Sequence, residues 1–300
     1  DVETASLLAV LLFFIVVFFF SIERYLNSRY KFNYTPNTKK FKNEPLSFKN
    51  RFIIHLVCLI PIILGFLIPV LFIINNVIYE FSRIDFIKVF NLTTNTVIIS
   101  LIATLIILVI AVYFQFLKRI LKNRTITFFN EVISLTYALP GAVIGLSLIL
   151  LFTSYPFENE LLIGSFGILV YAYVIRYMAV GISPLKSSFD KHPSSYDDTA
   201  FNLGMGPTKL FRSIHLPINK SAIAIAFLIT FVDIIKELPI TLILRPFNFD
   251  TLAVQTYEYA IEEMIPKSSI YSLAIVMLGT ILLIFLKKIV NKEIDVPKSK

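Results

Sequence analysis

Residues 193–217 read PSSYDDTAFNLGMGPTKLFRSIHLP, a polar stretch within a chain that is otherwise strongly apolar. The run Asp198-Thr199-Ala200 is followed after three residues by Gly204, and after nine more by Ile214, with Leu216-Pro217 closing the stretch. A polar loop of about forty residues, 182–220, surrounds it. This stretch decides how the apolar segments on either side of it are arranged.

The local chemistry of this stretch predicts two short helices joined by a sharp turn. Ser194 and Ser195 each precede an aspartate by three residues, a pattern typical of a capping box that starts a helix. Gly204 can adopt the left-handed conformation that ends one helix, and Pro207 suits the first position of the next. We expect both helices to be amphipathic and to lie along a membrane surface. The first would carry Tyr196, Ala200 and Leu203 on one face, and the second Leu210, Phe211 and Ile214.

Composition favours a membrane protein with several spans over a soluble one. Of 300 residues, 56% are hydrophobic, 29 are phenylalanine, and the mean hydropathy is +0.77; soluble domains hold about 45–50% apolar residues. The net charge of +8 is accounted for by basic residues in short loops, without invoking nucleic acid. The single cysteine, Cys58, cannot form an internal disulfide, and no Cys/His spacing typical of a metal site occurs.

About seven apolar segments are long enough to cross a bilayer as helices, which takes about 20 residues each. Four prolines within them predict kinks that neighbouring helices can tolerate. Arg176 interrupts the fifth segment, and we expect its side chain to extend to the headgroups. The segments are 5–22, 52–79, 93–117, 131–153, 161–181, 221–244 and 269–290, and the prolines are Pro61, Pro69, Pro140 and Pro239.

Basic residues alternate between the loops and predict the orientation. The successive loops and the tail carry 8, 2, 4, 0, 5, 2 and 5 Lys or Arg residues. Because basic loops stay in the cytoplasm, this places the N-terminus outside, and loop 182–220 and the C-terminus inside. The predicted location is the cytoplasmic (inner) membrane. The chain starts at Asp1 without a basic n-region, so we expect a piece of a longer protein and not a signal peptide.

The spacing from Asp198 to Pro217 resembles the cytoplasmic "EAA" loop of binding-protein-dependent ABC importer permeases. That pattern is Glu-Ala-Ala, three residues, Gly, nine residues, then Ile-x-Leu-Pro. The chain keeps the spacing but has Asp198 and Thr199 for the first two residues; both changes are tolerable in a helical first turn. The resemblance implies an all-α polytopic protein of the type I (MetI-like) permease fold, whose loop docks into a cleft on an ATPase subunit. It assigns this coupling to Asp198, Thr199, Ala200, Leu203, Gly204, Met205, Ile214, Leu216 and Pro217.

A second stretch resembles permeases of the ferric-iron type. It runs from Lys236-Glu237-Leu238-Pro239 to Tyr257-Glu258, and Tyr137–Gly141 fits the same group. Members of that group normally fuse two halves of about six helices each, whereas one EAA loop is present here. The resemblance therefore implies three regions: the last helix of a missing first half with a basic linker (1–51), a six-helix permease domain (52–290), and a cytoplasmic tail (291–300).

Three charged residues fall within the apolar segment 221–244. Asp233 lies three and four residues before Lys236 and Glu237, which predicts that the three share one helical face. Charges in a membrane usually face a cavity or the bundle interior. Pro239 would break the helix and free carbonyls to line a passage. Two interpretations stay open: a polar wall or gate of the translocation path, with Tyr137 beside it, or an ion pair that only fixes packing.

No Gly-x-x-x-x-Gly-Lys-Ser/Thr sequence occurs, so we expect no ATP site, no cofactor and no catalytic residue in this chain. The resemblance implies Mg-ATP on a separate ATPase dimer, a soluble binding protein, a second permease half or subunit, and surrounding lipid as partners. The implied function is import of ferric iron by alternating access. Other solutes (molybdate, sulfate, thiamine or a polyamine) are the alternative within the class. A proton-coupled transporter centred on Asp233 and a membrane-embedded enzyme are the rivals outside it.

Overall fold

The structure is a computed structural model that describes residues 2–28, 47–121, 123–153 and 163–294. Within these residues the secondary structure is helical, without a strand, which confirms the predicted all-α class. The predicted acidic loop 154–160, most of the basic segment 23–51 and the end of the tail lie outside the described residues. The chain divides into two compact units, residues 1–83 and 84–300, a boundary that differs from the sequence-based one at 51–52.

The first unit contains one isolated helix and one long, interrupted helix. Helix α1 spans Val2–Ser28. The second helix begins as α2 (Phe48–Ile62), passes through a π-helical turn at Ile63–Leu67, and continues as α3 (Ile68–Glu80). The turn lies between Pro61 and Pro69, each of which removes a backbone donor from the helical ladder, so the bonding pattern changes locally. Residues 49–83 are apolar enough to form one continuous span, and none of their most apolar window is buried.

The second unit is built around three long helices. Helices α4, α7 and α11 pack against one another, and α14 packs on α11 and α13. The shorter helices α5, α6 and α12 lie against α7, and α12 also contacts α6. The bounds are α4 Phe86–Leu121, α5 Arg124–Thr136, α6 Gly141–Thr153, α7 Phe166–Lys191, α8 Ser195–Asn202, α9 Pro207–Leu210, α10 Leu216–Ile218, α11 Lys220–Ile235, α12 Pro239–Leu244, α13 Leu252–Ile261 and α14 Ile265–Ile294.

Polar side chains fix where several of these helices begin. The Asn123 side chain accepts a hydrogen bond from Thr125 N at the start of α5. Ser165 and Thr251 accept bonds in the same way from backbone amides in the first turns of α7 and α13. Such caps satisfy amides that have no partner within the helix. The short helices are thereby set at defined angles to the long ones.

Close contact between α4 and α7 organises the core of the second unit. Small residues such as Ala103 and Ala111 are fully buried on α4, next to Ile107. A Cβ placed on Gly181 of α7 would lie 2.6 Å from Ile107 Cγ2. Small residues let the backbones of membrane helices approach closely, where dispersion contacts hold them together. Gly181 is thus required by the packing between α4 and α7.

The predicted count of seven spans is only partly matched. Four helices are long and apolar enough to cross a membrane: residues 49–83, 86–121, 166–191 and 265–288. Two bent helix pairs could each form a further span, which gives up to six among the described residues. The first predicted segment falls in α1, where residues 10–19 form a shorter apolar helix.

Two predicted segments are not continuous helices. Segment 131–153 is divided into α5 and α6, which meet at an angle of 111° across the turn that contains Pro140. Segment 221–244 is divided into α11 and α12, with the break just before Pro239. In both cases the proline cannot donate to the helix ladder, so one helix ends before the proline and another begins at or just after it.

Two glycines provide a test of the α4–α7 contact. Gly181→Ala should destabilise the chain by about 1–3 kcal/mol, because the new methyl group enters a filled, rigid site beside a β-branched side chain. Gly279→Ala is the matched control: it is also helical, but its Cβ would meet no atom within 4 Å. That change should be neutral or stabilising by about 0.5–1 kcal/mol. Thermal unfolding of both variants in detergent measures the difference, and equal melting temperatures would contradict the packing role.

Candidate functional site

The turn at Gly204 has the geometry that the sequence predicts. Gly204 has φ +78°, in the left-handed region. Its amide donates to Phe201 O at 2.9 Å, and Met205 N donates to Ala200 O at 3.0 Å, which is the bonding pattern of a Schellman motif. Pro207 then occupies the first turn of α9, as predicted. This arrangement fixes the direction of the chain between α8 and α9.

The start of α8 differs from the prediction. Ser194 precedes the helix but makes no side-chain capping bond, so the predicted capping box is not formed. Asp197 instead turns inward and is buried, because it has charged and imidazole partners there. Asp198 and Thr199 face outward.

The two loop helices form an apolar underside and an exposed outer turn. Phe116 of α4 and Phe189 of α7 pack on the underside. The predicted common face of α8 is wrong: Ala200 is buried, whereas Tyr196 and Leu203 are exposed, Leu203 by 74%. Of the predicted coupling residues, Ala200 is buried, Met205, Ile214 and Leu216 are half-buried, and Asp198, Thr199, Leu203, Gly204 and Pro217 are exposed. The predicted stripe Leu210, Phe211 and Ile214 does belong to the underside.

Arg119, at the cytoplasmic end of α4 in the predicted orientation, connects these elements. Its Nε lies 2.6 Å from Asp197 Oδ2, and the remaining nitrogens donate to backbone carbonyls. The other oxygen of Asp197 lies 2.8 Å from Nε2 of His215, which is buried. In the sequence, Arg119 is one of the four basic residues of the predicted loop 118–130, and His215 lies within the stretch that resembles the EAA loop. Neither carries a local signal that points to the other.

Histidine protonation in the loop is set mainly by burial. Burial lowers the pKa of His215 below its ordinary value; Arg119 adds to this effect, while Asp197 opposes it. Burial likewise lowers the pKa of His192, and the positive charges of Arg119 and Lys191 act in the same direction. Because an ionised carboxylate can only accept, a neutral His215 must carry its proton on Nε2. Both histidines are therefore neutral near pH 7.

The charged residues of the broken segment do not share one face, which corrects the prediction. Asp233 pairs with Lys236 Nζ at 2.8 Å, and Tyr137 donates to Asp233 at 3.4 Å. Glu237 turns away from them and is 5% exposed. Its Oε2 lies 3.6 Å from Arg176 Nε and accepts a bond from the Tyr177 hydroxyl.

Arg176 and Glu237 lie at the junction of three helices. The Arg176 side chain remains inside the second unit and does not extend to the headgroups as expected, because Glu237 and Leu139 O supply its partners. Glu237 also accepts from Ile240 N at 3.0 Å, so its side chain caps α12 after the break. A Cβ on Gly141 would overlap both Arg176 and Glu237. The glycine at the start of α6 is thus needed for this ion pair to fit.

A cavity of about 460 Å³ lies beside the other ion pair. Of the five residues predicted for the path, Tyr137 and Asp233 belong to its wall, and Lys236 does not. Hydroxyl groups and a lysine from α5 and α7 complete its polar part: Ser134, Ser183 and Lys186. Pro239 and Glu237 do not line it. Among the described residues, no group of three or more His, Cys, Asp or Glu side chains could hold a metal ion.

A third arginine, Arg245, holds the loop that follows α12. Arg245 bonds to Asp250 and lies 2.8 Å from Glu258 Oε1. Asn248, at the tip, has φ +60°, a conformation that Asn tolerates better than most residues. The Asp250 side chain is therefore engaged within its own loop.

Removal of one charge should lower the free energy of unfolding more for the Arg176–Glu237 pair than for the Asp233–Lys236 pair. Glu237→Gln leaves the Arg176 charge buried without a carboxylate, which should destabilise the chain by about 3–5 kcal/mol. Lys236→Gln removes one end of a pair whose lysine is 60% exposed, and it should cost less than about 1 kcal/mol. Thermal unfolding of the two variants in one detergent compares them. A Glu237→Gln variant as stable as Lys236→Gln would show that the buried pair is dispensable.

Comparison with known proteins agrees with these features. The closing part of the chain, residues 127–296, matches the family described as "Binding-protein-dependent transport system inner membrane component". The chain is 26% identical over 204 residues to the Fe(3+)-transport system permease protein FbpB 2 of Haemophilus influenzae, covering 68% of this chain and 40% of that protein. The chain thus spans about two fifths of that relative's length.

Shorter similarities point to the same family. The maltose/maltodextrin transport system permease protein MalG of Escherichia coli is 32% identical over 94 residues, which is 31% of each chain. MalG of Photorhabdus laumondii is 31% identical over the same length. The family match covers more than half of the chain and includes the loop helices, the broken segment and both ion pairs. The chain therefore belongs to the inner membrane components of binding-protein-dependent transport systems, as its sequence predicted.

Proposed function

We propose that this chain is a permease subunit of an ATP-driven ABC importer and that the outer turn of its loop receives the motion of a separate ATPase. The observation that carries this is the combination of a fixed turn at Gly204 with an exposed Leu203 beside it. Tyr196 and Phe201 of α8 are exposed as well, and several exposed apolar side chains in one region are typical of an interaction site. In the predicted orientation the turn points into the cytoplasm, where ATP is available.

The docking contact is supported by the way the loop presents its residues. Ala200 and Met205 anchor the turn to the underside, while Leu203, Asp198 and Thr199 remain free to contact another protein. Asp198, the exposed acidic residue in the first turn of α8, adds a negative charge to this surface and favours a basic partner surface. Mg-ATP would be bound and hydrolysed entirely on the ATPase dimer, so this chain supplies no catalytic residue.

Solute would cross next to the broken helices. Asp233 and Tyr137 line the 460 Å³ cavity, and the break before Pro239 interrupts α11 at the neighbouring position. Charged residues in membrane proteins usually mark such a pathway. Glu237 would instead act on the path indirectly, by holding α12 through Arg176. Closure of the ATPase would move the helices as rigid bodies and expose the path alternately to each side.

Ferric iron is the solute that we propose, delivered by a soluble binding protein outside the membrane. The similarity to an Fe(3+)-transport permease extends over 204 residues, whereas that to the MalG proteins covers 94. Molybdate, sulfate, thiamine or a polyamine remains the alternative class of solute. A complete translocator would also need a second permease half or subunit. The N-terminus would lie outside, and the loop and C-terminus in the cytoplasm.

Docking is tested by adding charge at the turn. Gly204→Asp should abolish both capture of the ATPase subunit and solute uptake, while the chain still inserts in the membrane. The substituted residue would have to adopt φ +78°, which costs about 1–2 kcal/mol, and would place a charge next to Leu203. Co-purification with the ATPase and uptake of labelled ferric iron are the two measurements.

Gly206→Asp is the matched control for this test. Gly206 has φ −74° and an open surrounding, so aspartate fits there and can cap α9. This variant should retain capture. Full capture and uptake by Gly204→Asp would disprove the coupling role of the turn.

The solute and the path are tested together by Asp233→Asn. We expect uptake of labelled ferric iron to fall about tenfold or more, with ATPase capture unchanged, because the cavity loses the negative charge of Asp233 without a change in shape. Competition with unlabelled molybdate, sulfate, thiamine and spermidine controls for the solute. Inhibition by one of these, and none by ferric iron, would replace iron with that solute.

A further inference from the structure

We propose that Arg119 is a positioning residue that fastens the loop helices α8–α10 to the end of α4, so that α4, α7 and the loop move as one body. This inference rests on the proposed function, since it concerns how motion at the loop reaches the helices around the core. Arg119 lies at the end of α4. Its side chain donates hydrogen bonds both to Phe189 O, in the last turn of α7 before the loop, and to Asp197 of α8, within the loop.

The guanidinium is surrounded by acceptors that belong to different parts of the chain. One terminal nitrogen lies 2.6 Å from Phe189 O and 3.0 Å from His192 O, and the other lies 2.8 Å from Pro193 O. Phe189 belongs to the last turn of α7, whose carbonyls have no amide partner within the helix. Arg119 thus caps α7 and holds the two residues that lead into the loop.

The fourth contact of the guanidinium, with Asp197, connects α4 to α8 and to the segment that follows α9. Arg119 Nε bonds to Asp197 of α8, and Asp197 bonds to His215 in the π-helical turn after α9. The His215 ring stacks on Phe189 with an interplanar angle of 16°. One chain of contacts therefore runs from α4 through α8 to the segment that enters α11.

The opposite charges of Arg119 and Asp197, and their burial, favour a fixed contact between α4 and α8. The Arg119 and Asp197 side chains are 12% and 9% exposed, so water competes little for their contact. Charge-assisted hydrogen bonds are stronger and more directional than neutral ones. A neutral His215 adds a donor without adding a second positive charge beside Arg119. His192 and Lys191 are the other titratable groups nearby, and Arg119 and Lys191 both favour the neutral form of His192.

Apolar packing alone would hold the loop less precisely. Phe116, Ala200 and Leu210 attach the underside of the loop to α4 and α7. Such contacts are non-directional and allow sliding, whereas the planar guanidinium fixes several acceptors at set angles. Loss of Arg119 should therefore leave the loop attached but free to shift. In that state the ATPase would still bind and hydrolyse ATP, but its motion would be transmitted poorly.

The functional test compares Arg119→Gln with Lys118→Gln in the full transporter with its ATPase subunits. Lys118 is the neighbouring basic residue on α4, and its side chain makes no hydrogen bond or ion pair with another described residue. We expect Arg119→Gln to keep ATPase capture and to lower solute transported per ATP hydrolysed by about tenfold or more, since several charged hydrogen bonds are lost together. Lys118→Gln should match the wild type, and Arg119→Lys, which keeps the charge without the fork, should fall between them.

A spectroscopic measurement reports the attachment directly. Spin labels at Val109 on α4 and Lys209 on α9 occupy exposed positions, after the exposed Cys58 has been replaced by serine. The wild-type distance distribution should be narrow and should not change when ATP is added. Arg119→Gln should broaden it or make it respond to ATP. Asp197→Asn, which keeps the side-chain shape, should produce the same signature if Arg119→Gln does not insert.

The outcomes separate this inference from the proposed function. An unchanged ratio of transport to hydrolysis, even with less folded protein, would reduce Arg119 to a structural residue and overturn the inference. So would a distance distribution that stays narrow in Arg119→Gln and Asp197→Asn. If the wild-type chain captures no ATPase, the proposed function fails and the transmission role fails with it. The label distances then decide whether Arg119 fixes the loop to α4.

Discussion

The requirement that a buried charge find a partner shapes the centre of the second unit. Glu237 can remain inside because Arg176, Tyr177 and the amide of Ile240 surround its carboxylate. This arrangement needs a break between α11 and α12, since an uninterrupted helix has no free amides to offer. It also needs a glycine at position 141, because a side chain there would overlap the ion pair. The break before α12 and the glycine at the start of α6 thus both serve one buried carboxylate.

The loop helices obey the same rule at the other arginine, with a different result. Arg119 gathers acceptors that lie in α7, in α8 and between them, and it leaves the outer turn uninvolved. Arg119 and the apolar packing hold the underside of the loop against α4 and α7. Leu203 and Gly204 therefore lie exposed on a segment whose position is fixed. Rigid support with an exposed tip is the arrangement expected of a surface that passes on movement, because a flexible tip would absorb it.

Prediction from sequence succeeded where the signal is local. The turn at Gly204 and the start of α9 at Pro207 follow from backbone preferences of single residues, and apolar run lengths indicate the spans. It failed where partners are distant in sequence. Asp233 and Glu237 are neighbours on a helical wheel, yet Glu237 bonds to residues 60 positions away. Proline kinks were expected, but a bend as large as 111° depends on what α5 and α6 pack against. The sequence predicts a capping role for Asp197, whereas its partners in the structure are Arg119 and His215. The spacing of these two residues from Asp197 follows no recognisable pattern.

The exposure of Leu203 has a consequence for the chain before assembly. Tyr196 and Phe201 are exposed on the adjoining helix α8, so this end of the loop presents several exposed apolar side chains. A patch of this kind is stable in solution only when it is covered, and while uncovered it attracts chaperones and proteases. In the proposed importer, a chain made in excess of the ATPase would leave this apolar surface uncovered. The surface that we propose for coupling would then also keep the amounts of the two subunits in balance.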